Sequence, residues 1–116
     1  MSPADSIPTR ADIESKWLSL IDGDISRTDA HLWASTWVDG PAHASLGTME
    51  RSALQRLHGV DLVREDGADV SFVHSDEMVR AALLDWKADC AEYDLDPIAY
   101  KQRAVARARA SVARDA

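Results

Sequence analysis

Ser75-Asp-Glu-Met-Val79-Arg-Ala-Ala82-Leu83-Leu-Asp85-Trp86-Lys-Ala-Asp89-Cys90-Ala-Glu92-Tyr93 decides the fold class. Val79, Ala82, Leu83, Trp86, Cys90 and Tyr93 recur at the spacing that places apolar side chains on one face of an α-helix. Ser75 is a hydroxyl able to accept a bond from a free N–H of the first turn, and Asp76 and Glu77 meet the positive end of the helix dipole. The spacing predicts a helix over Asp76–Tyr93. Asp96-Pro97 just beyond reads as a cap followed by the proline favoured in a first turn, so another helix runs from Pro97 to about Arg114.

Working back toward the N-terminus, the same signal recurs. Thr9-Arg-Ala-Asp12 and Ser26-Arg-Thr-Asp29 each place an acid three residues after a hydroxyl, the spacing of a capping box. They open helices over Arg10–Ile21, with Ile13, Trp17, Leu20 and Ile21 inward, and over Arg27–Val38, with Ala30, Trp33, Ala34, Trp37 and Val38 inward. Asp22-Gly23 and Gly40-Pro41 stop them. A third helix covers about Ser45–His58, started by Ser45 or Thr48, with Gly59 expected to close it in the left-handed conformation. Between residues 60 and 73 the period changes. Val60–Glu65 and Ala68–Val73 flank Asp66-Gly67, which reads as a two-residue hairpin turn. A lone two-stranded hairpin is marginal, so it has to lean on the helices. The expectation is a mostly α single domain, a bundle of four to five helices over residues 1–116 with one short β-hairpin near residues 60–73. Residues 1–8 are expected to be disordered and 97–116 to form a basic, weakly docked terminal helix.

Composition fits a soluble globular chain: 46% hydrophobic and 28% charged residues in 116. No basic, apolar leader and no membrane-length apolar run is visible, and one cysteine, Cys90, fits a reducing cytoplasm. Charge is unevenly distributed. Residues 1–96 carry nineteen acids against eight Lys/Arg; residues 97–116 carry Asp115 against Lys101, Arg103, Arg107, Arg109 and Arg114. The acidic body repels nucleic acid and anionic membrane over about 10 Å at moderate salt. Arg103, Arg107 and Arg114 share a face on which phosphates could sit, but no aromatic residue interleaves them, which argues against nucleic acid as partner.

Chemistry-bearing motifs are sparse. His31, His43, His58 and His74 show no metal-ligand spacing, and Cys90 is the sole thiol, at core phase. Asp22-Gly-Asp24-Ile-Ser26 begins like a calcium loop but has Arg27 where the glycine belongs and Trp33 where the closing acid belongs. No catalytic residue, cofactor or metal is assigned. Of the four tryptophans, all at core phase, Trp33 and Trp37 are the pair best placed to line an open aromatic groove. The strongest surface feature is a second stripe on the fourth helix: Asp85, Asp89 and Glu92, continued by Asp94 and Asp96. Like charges one turn apart oppose the helix, as do acids near its C-terminus. The stripe is the candidate partner-binding site; the competing reading is that the arginines of the last helix fold back and answer it. Ile98, Val105 and Val112, seven residues apart, offer a thin seam for weak helix pairing and a possible homodimer.

The run Trp17-Leu-Ser-Leu-Ile-Asp-Gly-Asp-Ile-Ser26-Arg-Thr-Asp-Ala30 resembles the start of bacterial immunity proteins of the colicin D type. Size and acidity are similar too. The resemblance implies a small helical bundle in the cytoplasm that binds the basic nuclease domain of a sibling toxin and blocks it with acidic side chains. The matching stretch is scaffold, so it assigns no binding residue; the hairpin and the basic last helix depart from the pattern. The functional expectation is a non-enzymatic acidic binding protein, of the kind that acts as immunity protein or inhibitor of a basic nuclease-type toxin. The alternatives are a structural or regulatory subunit self-associating through the C-terminal helix, and a nucleic-acid-binding protein using that helix.

Overall fold

The structure, a computed structural model, describes residues 7–115. Among these, five α-helices, a short 3₁₀ turn and one hairpin follow one another: α1 (Arg10–Ile21), α2 (Arg27–Val38), the 3₁₀ turn (Pro41–Ser45), α3 (Thr48–His58), β1 (Val63–Asp66), β2 (Asp69–Phe72), α4 (Asp76–Leu95) and α5 (Pro97–Asp115). The chain is a mostly α bundle with one short antiparallel hairpin, as expected. Most of the segment expected to be disordered, residues 1–8, lies outside the described residues; of the two that are described, Pro8 is buried.

The helix starts follow from local hydrogen bonding. Thr9 and Ser26 form complete capping boxes: each hydroxyl accepts from the backbone N–H three residues on, and Asp12 and Asp29 accept from the cap backbone in return. Ser75 accepts from the Met78 N–H at 3.1 Å. Two details differ from expectation. Helix α3 begins at Thr48, with Gly47 as a cap that has no side-chain bond, because Ser45 ends the 3₁₀ turn and Leu46 turns extended to drop into the core. Gly59 closes α3 with φ −91°, short of the left-handed region; its N–H still reaches the Gln55 carbonyl at 3.2 Å. It is Gly23, after the Asp22 cap of α1, that adopts φ +83°.

The hairpin turn also sits one residue later than Asp66-Gly67. Asp66 pairs with Asp69, so Gly67-Ala68 is the two-residue loop, and Gly67 takes φ +65°. A turn centred on Asp66-Gly67 would ask the aspartate for a positive φ as well; moving it by one leaves the only positive φ on glycine, at the first central position as in a II′ turn. The register then pairs Val63 with Phe72 and Glu65 with Val70.

The core gathers the inward face of every helix. Ile13 and Trp17 of α1, Ala30 and Ala34 of α2, Met49, Ala53, Leu54 and Leu57 of α3, and Val79, Leu83, Trp86 and Cys90 of α4 are buried. Small Ala30 and Ala34 let α2 lie close along α3, the most extensive helix contact in the bundle. At the centre Trp17 and Trp86 stack with ring centroids 5.9 Å apart. Their indole N–H groups donate to the Val79 carbonyl at 3.0 Å and the Met49 carbonyl at 2.9 Å, so two large apolar bodies are buried without an orphaned donor. Trp33 and Trp37 pack only partly against this core, and Lys16 lies over the Trp33 ring at 5.7 Å.

Replacing Trp86 by alanine empties the centre and frees the Met49 carbonyl; the expected loss of unfolding free energy is about 3–5 kcal/mol, against about 1 kcal/mol for Ser26→Ala, which removes one cap. Urea unfolding followed by tryptophan fluorescence and circular dichroism checks both, and a Trp86→Ala effect no larger than the cap variant would contradict this packing.

Candidate protein-binding surface

The five acids of the α4 stripe occupy different environments. Asp85 is exposed and has no ion-pair partner among the described residues. Asp89, half-buried, lies 3.6 Å from Arg56 of α3. Glu92 takes the guanidinium of Arg103 from α5. Asp94 accepts two bonds from Arg10 of α1, at 2.7 and 2.9 Å, and Arg10 is also 3.4 Å from Glu50. Asp96 is the cap of α5, its Oδ1 accepting from the Ala99 N–H at 3.1 Å. The row therefore knits α4 to α1, α3 and α5 as well as facing solvent. Among the described residues one contact of the fold-back reading is present, Arg103 on Glu92.

These contacts are exchangeable. Exposed ion pairs contribute about 0.2–1 kcal/mol each, because both side chains are screened and lose rotamer freedom. The Arg10 guanidinium holds the Asp94 carboxyl below the usual carboxylate range, and the bonds from Thr9 do the same for Asp12. Burial pushes the Cys90 thiol up, which keeps it protonated and unreactive.

Packing of α2 on α3 brings together histidines that are 27 residues apart. The His31 and His58 rings meet at 4.6 Å. His31 Nδ1 bonds the His58 carbonyl and lies 3.3 Å from Asp61, while Nε2 lies 3.4 Å from the Ser35 hydroxyl. His58 Nε2 in turn lies 3.4 Å from Asp39. An acid, an imidazole and a hydroxyl in that order share the sequence of contacts of an acyl-transfer triad. Here the hydroxyl sits inside α2, where neighbouring backbone N–H groups are spent on the helix and none is left to hold an oxyanion. The cluster works as a brace between α2, α3 and the start of the hairpin segment. Among the described residues no three His, Cys, Asp or Glu side chains converge in a metal-binding arrangement.

Two depressions flank the start of α4. One, of about 410 Å³, lies between Ile25, Arg27, Phe72 and Val79; the other, of about 230 Å³, is lined by Trp17, Leu57, Val60 and Met78. Arg27 is already committed at the first: its guanidinium donates to the Val60 carbonyl at 3.0 Å, the His74 carbonyl at 2.7 Å and Asp76 at 2.7 Å, and stacks over the Phe72 ring at 4.0 Å. It straps the hairpin to α2 and α4. No sequence signal marked this role, since its partners are 33–49 residues away.

Comparison with protein-family models, with curated proteins and with solved structures finds no match to this chain. Among the described residues no helix is long and apolar enough to cross a membrane.

The Asp94–Arg10 pair has a pH signature. A carboxyl whose folded pKa lies below its unfolded value of about 3.9 stabilises the fold above that pH, and the contribution disappears as pH falls through the folded value. Asp94→Asn is expected to lower the neutral-pH denaturation midpoint slightly and to make stability fall less steeply below about pH 4. Denaturant titrations across that range check it; parallel acid profiles for parent and variant would mean that the pair contributes nothing.

Proposed function

We propose that this chain is a non-enzymatic, acidic binding protein of the cytoplasm that takes a basic protein partner, in the manner of an immunity protein or inhibitor set against a basic nuclease-type toxin. The observation that carries the reading is the acid excess of the body together with its placement: Asp85 open on α4, Asp89, Glu92 and Asp94 held by surface ion pairs that an incoming cation can replace, and Asp96 beside them at the cap of α5. Against such a partner the carboxylates would stand where phosphates normally bind. Opposite fields accelerate encounter and make it salt-sensitive. Exchange of Arg10 or Arg56 for an arginine of the partner keeps each acid paired throughout.

The alternative of self-association is favoured by one specific feature. Ile98, Val105 and Val112 of α5 are 71%, 49% and 70% exposed, an aliphatic seam that the body leaves uncovered.

The test of the main reading is capture on the immobilised chain from extract of its own cell. The parent is expected to retain a basic protein that elutes as salt is raised. Asp85→Lys combined with Asp89→Lys and Asp94→Lys, none of them in the core, should keep the helical circular dichroism spectrum and lose the capture. Equal retention by parent and triple variant, or no basic protein on the parent, rejects the reading.

A further inference from the structure

Two surfaces of this chain are each half apolar and half charged, with opposite sign. The first is α5. Tyr100 and Ala104 turn toward α4, with Tyr100 meeting Tyr93 edge-on at 5.7 Å, and Arg103 reaches Glu92. Beyond Ala104 every residue from Val105 to Ala113 is exposed. A seven-residue step drifts by only about 20° around a helix, so Ile98, Val105 and Val112 stay on one line, bordered by Lys101 and Arg109. The second is the hairpin. Residues facing each other across an antiparallel pair, and those two apart along a strand, share a face. Val63, Phe72 and Val70 therefore lie together with Glu65, exposed by 54%, 47% and 64% for the three apolar residues even with Arg27 on the Phe72 ring. Around them residues 60–77 carry six carboxylates against one cation, Arg64.

We propose that the chain forms a two-fold dimer in which the α5 seam of each copy lies on the Val63/Val70/Phe72 face of the other copy's hairpin. The inference deepens the self-association reading and is independent of capture through α4. Charge selects this pairing. Two α5 helices side by side would set cation against cation at Lys101 and Arg109, whereas the hairpin face offers Glu65 to the same cations, within a segment of net negative charge. Covering the hairpin also answers its marginal stability as a two-stranded unit. In a two-fold pair each copy gives its seam and receives the other's, so the exchange is reciprocal and closes at two copies.

A charge-swap experiment in sedimentation equilibrium tests it. The parent should weigh twice the 12.7 kDa chain and dissociate as salt rises. Lys101→Glu with Arg109→Glu should lose the dimer, since both α5–hairpin contacts then set acid on acid. Glu65→Lys should lose it by setting base on base. An equimolar mixture of the two variants should regain the mass of two chains, because one contact is swapped and the other is native. All three residues are exposed, and circular dichroism confirms that each variant is folded. A monomeric parent overturns self-association altogether, including a parent that stays single but binds a labelled DNA duplex through α5. A dimer that survives either swap, or one that the mixture fails to restore, overturns the α5–hairpin pairing while leaving self-association standing.

Discussion

The stacked pair Trp17–Trp86 is the constraint around which the bundle is built. Each indole is almost wholly buried, and each donates to a carbonyl of another helix: Trp17 to Val79 of α4, Trp86 to Met49 of α3. A buried indole N–H without an acceptor costs about 1–3 kcal/mol, so these bonds fix depth and rotation for both rings, which apolar contact alone leaves loose. Three helices are thereby registered against one another through two side chains. Trp37 shows the contrast: its Nε1–H is buried with no acceptor among the described residues, and its ring packs only partly against the core. It adds area without adding register.

A second device holds what the aromatic centre cannot reach. The hairpin has no buried residue in either strand, so hydrophobic burial does little to hold it. Arg27 does that work with one planar group, binding two carbonyls and a carboxylate and covering Phe72 with its face. Five donors in a rigid fork allow this; a lysine has neither the fork nor the face. The hairpin is in this way fastened at the Phe72 end of its aliphatic face, and Val63 and Val70 stay exposed beyond that contact.

How much of this was legible in the sequence follows from the range of each interaction. Helix α4, the capping boxes at Thr9 and Ser26, and the inward positions of Trp17 and Trp86 depend on residues three or four apart, and the chain displays them directly. Ser45 misled because a hydroxyl marks a helix start only where the backbone has a helix to offer; Leu46 leaves it for the core. At Asp66-Gly67 the turn was legible but its phase was not, since the deciding quantity is which residue must take a positive φ. The acidic row was visible at Asp85, Asp89 and Glu92, but not its engagement by Arg10, Arg56 and Arg103, nor the His31–His58 contact. Those pairings join different helices and exist only after the helices pack.

The engagement of the acids sharpens the meaning of the charge asymmetry. Of the eight cations in residues 1–96, Arg10, Arg27, Arg56 and Lys87 sit in ion pairs, Arg51 is turned onto the carbonyls of His43 and Leu46, and Lys16 lies over Trp33. The body's positive charge is thus largely spent on joining its own elements, and the two cations left over, Arg64 and Arg80, are too few to quench the surplus carboxylates. Such a surplus raises the self-repulsion of the compact state, so it works against stability and has to be tolerated by the core. The cost falls wherever positive charge from outside the body approaches. One such source is another protein; the other is built into the same chain, on α5, where four cations between Pro97 and Ala113 meet no acid of their own segment. Among the described residues Arg103 is the one of them paired with an acid of the body, Glu92. Lys101 and Arg109 flank the aliphatic line on the opposite side, so the geometry of one helix separates the cation that closes the fold from those left facing outward.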